Sequence, residues 1–145
     1  MNVQRSALLP YSAAQMYAVI NDIRSYPEFL NWCDEVIVLD EDFNSVEAEL
    51  KIAYGHLKIS FATQNLLIPN ESISMSLVSG PFKKLSGKWL LQELGDEACK
   101  VSLSMEFTFE NPITHRLFGK VFKTVVSTQV DAFRKRAEYI YDEAR

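Results

Sequence analysis

The spacing of apolar residues changes period twice along the chain, and each change predicts a change of element. Residues 3–9, VQRSALL, suit a short first strand. After Pro10 and Tyr11, Ser12 and Gln15 stand at capping-box spacing, and Met16, Val19, Ile20 and Ile23 recur at helical intervals, which predicts a helix with one buried stripe. That helix should stop by Tyr26, because Pro27 disfavours helical geometry in the residue before it. From Val36 to Glu110 the period is two. Val46, Ala48, Leu50, Ile52 and Tyr54 alternate with polar or small residues, and so do Leu57, Ile59, Phe61 and Thr63, with Gly55 and His56 at the hairpin between them. Asn70 and Glu71 mark another turn before Ile73, Met75 and Leu77. Gly95 and Asp96 then introduce a last strand with Val101, Leu103, Met105, Phe107 and Phe109 on one side. Such a sheet is antiparallel and apolar on one face.

The helical period returns after ENP, where Asn111 is a good N-cap and Pro112 fits the first helical position. Ile113, Leu117, Val121 and Val125 form one apolar row, and Phe118, Phe122, Val126, Val130, Phe133, Ala137 and Tyr141 widen it. Unbroken to the end, this helix would be about 50 Å long, more than the breadth of a compact domain of this size, so it must kink, fray or overhang. Gly119 is the expected weak point.

The elements assemble most simply as an α+β domain spanning 1–145: a curved antiparallel sheet of about six or seven strands wrapped on a long C-terminal helix, with two short helices after the first strand. A strongly bent sheet and a straight helix touch fully only where their surfaces run parallel. An apolar hollow between them is therefore expected, either filled or open.

Composition alters this picture little. The chain is 48% hydrophobic and 23% charged, as in ordinary globular proteins, with no repeat or linker and no apolar run of membrane-spanning length. The N-terminus lacks the order of a signal peptide, which fits a bacterial cytoplasmic protein and equally a mitochondrial one stripped of its transit peptide. Cys33 and Cys99 have neither redox nor metal-ligand spacing and read as small buried hydrophobes; with His56 and His115 as the two histidines, no metal site is suggested. The formal charge of −4 is unevenly placed. Residues 1–50 carry Arg5 and Arg24 against nine acidic side chains, and cations gather later, at Lys83, Lys84 and Lys88, then Arg116, Lys120 and Lys123, then Arg134, Lys135 and Arg136. These clusters can meet RNA, but the acidic pI of about 5.2 speaks against a general nucleic-acid binder, DNA included.

One stretch stands out, YPEFLNWC, residues 26–33, an aromatic connection where turns are normally polar. Together with YSAAQMYAVINDIRS before it, FATQNLLIP, SGPFKKLSGKWLLQEL, CKVSLSMEFTFENP and VDAFRKRAEYIYDEA, it resembles the START-like polyketide cyclase/dehydrase superfamily, and more narrowly its coenzyme Q-binding group. That group holds mitochondrial coenzyme Q chaperones and bacterial ribosome association toxins. Relatives tend to carry proline before the Trp-Cys pair, where this chain has Asn31.

The resemblance implies a cavity that carries ubiquinone or a similar isoprenoid lipid in support of respiration, with no cofactor required, and a transient contact with a membrane surface. It equally implies the alternative of a translation inhibitor that binds the large ribosomal subunit and blocks subunit association. For the first role, Tyr26, Phe29, Leu30 and Trp32 are the candidate gate. The candidate lining comes from the strands, Leu50, Ile52, Phe61, Met75, Leu77, Trp89, Met105 and Phe107, and from the helix, Phe118, Phe122 and Val126. For the second role the available cations are Lys83, Lys84, Lys88, Arg116, Lys120 and Lys123. Catalysis finds no supporting constellation: neither cysteine has a histidine at a recognisable spacing, and Glu106 and Glu110 alternate with the apolar set and should face solvent.

Overall fold

A computed structural model of the protein describes residues 1–142. Strand β1 (Asn2–Leu9) leads through Tyr11 into helix α1 (Ala13–Asn21), whose N-terminus carries the full capping box: Gln15 N–H donates to Ser12 Oγ, and Ser12 N–H donates to Gln15 Oε1. A 3-10 turn (Ile23–Ser25) and a four-residue helix α2 (Tyr26–Phe29) follow. Six further strands come next: β2 (Cys33–Glu41), β3 (Ser45–Tyr54), β4 (Leu57–Ile68), β5 (Ser72–Ser79), β6 (Phe82–Glu93) and β7 (Cys99–Phe109). The chain closes with α3 (Pro112–Ser127), α4 (Gln129–Ala137) and a π-helical turn (Glu138–Asp142). No described helix is long and apolar enough to cross a membrane.

All seven strands form one antiparallel sheet in the order β1-β7-β6-β5-β4-β3-β2, so the meander folds back to place the first strand beside the last. Register shifts in β2, between β4 and β5, and at Phe82/Lys84 in β6 bend it. In β7 the alternation is complete: Cys99, Val101, Leu103, Met105, Phe107 and Phe109 are buried and their neighbours are not. The concave face holds α3 and α4, and one continuous core runs between the layers. This is the curved sheet on a long helix that the periodicity predicts, and the helix-grip fold that the START-like resemblance implies.

Three local expectations need correction. Helix α1 stops before Tyr26, at Asn21, but Pro27 is not the cause: Tyr26 takes helical angles (φ −51°, ψ −44°) and Pro27 sits in the first turn of a second helix, α2. There its missing N–H is harmless, and the docking of Tyr26, whose hydroxyl donates to the Ile20 carbonyl and whose ring meets Phe133, outweighs the local preference. Gly119 does not break the last helix, which runs through it beside the His115 ring. The break falls at Thr128, after a run in which Thr124, Ser127 and Thr128 hydroxyls all donate to carbonyls one turn back, bonds that bend helices. Finally, Ile113 and Leu117 share the period of the buried row yet stand 73% and 52% exposed, because the first turns of α3 lie beyond the packed interface.

Candidate functional site

Two aromatic clusters close the ends of the grip. At one end Phe82 stacks on Phe109 (4.7 Å between centroids) and both surround Phe122, which also meets Phe107 edge-on at 4.8 Å. At the other end Phe133 of α4 takes Trp89, Tyr26 and Phe29 on its faces and edges, at 5.3, 5.3 and 5.6 Å. Between the clusters lies an enclosed hollow of about 60 Å³. Its walls come from β3 (Leu50, Ile52), β4 (Phe61), β5 and β6 (Met75, Trp89), β7 (Met105) and α3 (Phe122, Val126), with Tyr26 and Trp32 at its margin. Those ten residues are therefore brought together as a single lining.

The remaining candidates fall elsewhere. Phe29 and Leu30 face an open groove of about 780 Å³ on the other side of Trp32, which runs between α2, the end of β3 and the junction of α3 with α4. Tyr54, in phase with the inward row of β3, sits at the strand's end on the rim of this groove. Leu77 and Phe118 pack against the core half-buried, and Phe107 is wholly buried within the first aromatic cluster. Trp32 and Val125 border both the groove and the hollow, so these two side chains are the partition between them. The Trp32 carbonyl accepts from Ala53 N–H at 2.9 Å, and Cys33 N–H donates to the Leu30 carbonyl at 2.9 Å, which fixes the turn that presents the indole. Arg136 covers the groove's outer end: its guanidinium lies 4.8 Å over the Phe29 ring and 5.2 Å from that of Tyr139, with Glu28 at 3.7 Å.

Polar residues in the lining were missed by reading the sequence. Thr63 and Asn65 continue the inward phase of Ile59 and Phe61 on β4, and Gln129 falls in the α3–α4 row between Val125 and Phe133. The available signal was a polar residue interrupting an otherwise apolar row.

The lining holds no carboxylate, imidazole, amine or thiol. Tyr26 is its titratable side chain, and burial raises its pKa well above the ordinary phenol value, so the hydroxyl stays neutral. The two thiols are buried outside the lining. Cys33 is pushed up to about 11 by desolvation, then by the neighbouring Asp34 charge, and Cys99 is raised by burial in the same sense; neither supplies thiolate at neutral pH. Among the described residues no three His, Cys, Asp or Glu side chains gather as a metal site requires. The candidate ribosome-facing cations split between layers. Lys84 and Lys88 project from the convex face of the sheet, where Lys84 pairs with Glu106 at 2.8 Å, Lys83 is exposed beside them, and Arg116, Lys120 and Lys123 stand on the solvent side of α3.

An antiparallel grip of this kind over an apolar hollow has a known home. Residues 9–134 match the family described as polyketide cyclase / dehydrase and lipid transport. The chain belongs to that START-like family. Among its relatives is a Pseudomonas aeruginosa protein named ribosome association toxin RatA, 43% identical over 140 residues that cover 97% of each chain. Another is the mitochondrial coenzyme Q-binding protein COQ10 of Dictyostelium discoideum, 26% identical over 137 residues that cover 92% of this chain and 67% of that one. The crystal structure of the Zhui aromatase/cyclase from Streptomyces sp. R1128 superposes with a TM-score of 0.85 over 95% of this chain and 93% of its own, at 16% identity, a likeness of fold.

Proposed function

We propose that this protein binds a hydrophobic small molecule without changing it chemically, taking an isoprenoid quinone such as ubiquinone between sheet and helix in support of bacterial respiration. The observation that carries this reading is the lining of the hollow, almost entirely apolar and, among the described residues, without carboxylate, imidazole, amine or thiol. Removing a tail from water supplies roughly 25 cal/mol per Å² of apolar surface, and aromatic faces suit a quinone ring. At about 60 Å³ the hollow is far below the roughly 300 Å³ at which ligand pockets begin, so binding requires side chains to move. Met75 and Met105 are the flexible members of the wall, and the groove outside Trp32 offers staging space. The name of the Dictyostelium relative supports the ligand class. A membrane surface is the natural source of such a ligand, and the protein would meet it from the cytoplasm.

The reading is tested through the chain's two tryptophans, Trp32 and Trp89, both on the hollow. Titration with a ubiquinone bearing one isoprene unit should quench their fluorescence saturably, and Met105→Glu should abolish the effect with the fold retained. Quenching that never saturates, as from collisions in solution, would sink it.

A second reading, association with the large ribosomal subunit, is favoured by the name of the 43% identical relative. Overproduction should then reduce joined ribosomes in a sucrose gradient, and exchanging Lys83, Lys84 and Lys88 for Glu should restore them. Unaltered profiles on overproduction would remove this reading.

A further inference from the structure

Three polar side chains face the hollow from two different elements. Thr63 and Asn65 come from β4, Gln129 from the first position of α4. Thr63 is only 4% exposed, and its hydroxyl donates to Asn65 Oδ1 at 3.0 Å. That bond engages the oxygen of the Asn65 amide and leaves its nitrogen, which carries two hydrogens, available to a ligand in the hollow that Asn65 lines. Gln129 brings a second amide to the same lining. Among the described residues no other hydrogen bond uses either side-chain amide. Asn65 and Gln129 are half-buried and, among the described residues, no buried side-chain nitrogen or oxygen lacks a partner, so water meets these amides until a ligand displaces it; a ligand that does so costs free energy unless it accepts from them.

We infer that Thr63, Asn65 and Gln129 form a polar end of the hollow that selects ligands carrying a carbonyl oxygen. This rests on the reading of the hollow as a hydrophobic-ligand site and narrows the ligand class to apolar molecules with a ring ketone, such as quinones. The Asn65 and Gln129 amide nitrogens donate to the oxygen, and Thr63 holds the Asn65 amide in the donating orientation. An apolar molecule of equal size without the oxygen leaves both donors unpaired. The discrimination is against hydrocarbons and does not depend on the length of the tail.

The test compares two probes by tryptophan fluorescence and equilibrium dialysis: the one-isoprene ubiquinone, and an alkylbenzene with a chain of equal carbon number. Wild-type protein should prefer the quinone. Asn65→Leu should weaken quinone binding about tenfold, the effect of one lost hydrogen bond to a desolvated group, and leave alkylbenzene binding unchanged or tighter. Gln129→Leu removes the other donor from a half-buried helical position without adding charge and should weaken quinone binding in the same way, so it decides the matter should Asn65→Leu not fold. Full quinone affinity in either folded variant overturns the polar end while leaving the hollow as a ligand site. Equal loss of both probes assigns Asn65 to structure and also overturns it. Binding of neither probe to wild-type protein overturns both the polar end and the reading beneath it.

Discussion

At Gly87 of β6 a missing side chain leaves room for Met75 and Met105, which form one floor of the hollow. An added Cβ would stand 2.7 Å from Met105 Sδ and 3.0 Å from Met75 Cε, both far ends of flexible side chains. Gly87→Ala should therefore fold, with a denaturant midpoint equivalent to within about 1 kcal/mol of wild type, while the displaced thioethers fill the hollow and weaken ubiquinone quenching several-fold. Unchanged quenching would show that the ligand does not reach this floor. Cys33 adds a pH dependence. Its thiol is raised to about 11 in the fold from an ordinary value near 9, so the unfolded chain ionises first and stability present below pH 9 is lost as pH rises toward 11. Tyr26 acts in the same direction at higher pH. Urea midpoints should hold level from pH 7 to about 8.5 and then fall, and Cys33→Ala should flatten the first part of that fall.

Helix α2 has four residues and is too short to persist by itself, so its position over the groove depends on docking. Arg136 supplies much of that, through the Phe29 ring and Glu28. Arg136→Ala should cost about 1 kcal/mol of global stability and accelerate amide exchange across residues 26–32 more than elsewhere. Exchange unchanged there would leave the Phe133 rings as the whole of the anchor. The elements themselves were largely legible in the sequence, because a one-sided sheet and an amphipathic helix write periods of two and 3.6 directly into it; the complete alternation of β7 is the clearest case. What escaped were junctions decided by tertiary contact. The helical state of Tyr26 follows from its bonds to Ile20 and Phe133, residues that no local rule connects, and the bend at Thr128 depends on hydroxyls that turn inward on the helix.

On the scale of the whole molecule, the site was legible as a face and not as a volume. Eight of the proposed lining residues meet around one hollow, since inward phase is readable, and the gate residues Tyr26 and Trp32 join them from the turn; Phe107 and Leu77 share that phase but lie beyond the aromatic plug or outside the hollow, and position along a curved sheet is not written in the period. The partition by Trp32 requires the α2 turn and the α3–α4 junction to converge, which sequence distance conceals. Under the proposed uptake of ligand from a membrane, the exposed pair Ile113 and Leu117, beside Arg116 and Lys120 on α3, is the apolar-and-basic margin that would meet an anionic bilayer. Wild-type protein should cosediment with vesicles containing anionic lipid, and Ile113→Asp with Leu117→Asp should remove most of that binding while leaving the melting temperature within a few degrees. Equal sedimentation of the double variant would exclude this margin as the contact.

The sheet also ends in two edge strands, β1 and β2, each paired on one side alone, and an open strand edge is a template for another chain. Much of the negative charge of the first 50 residues runs along or beside one of them: Asp34, Glu35, Asp40 and Glu41 are all exposed on β2. Two molecules meeting there edge to edge would bring like charges together, and Arg24 and Lys51 offset only part of this. The charge asymmetry thus acts as a guard against aggregation. Light scattering should find self-association growing as salt screens these charges, and Asp40→Asn with Asp34→Asn should bring it on at lower ionic strength.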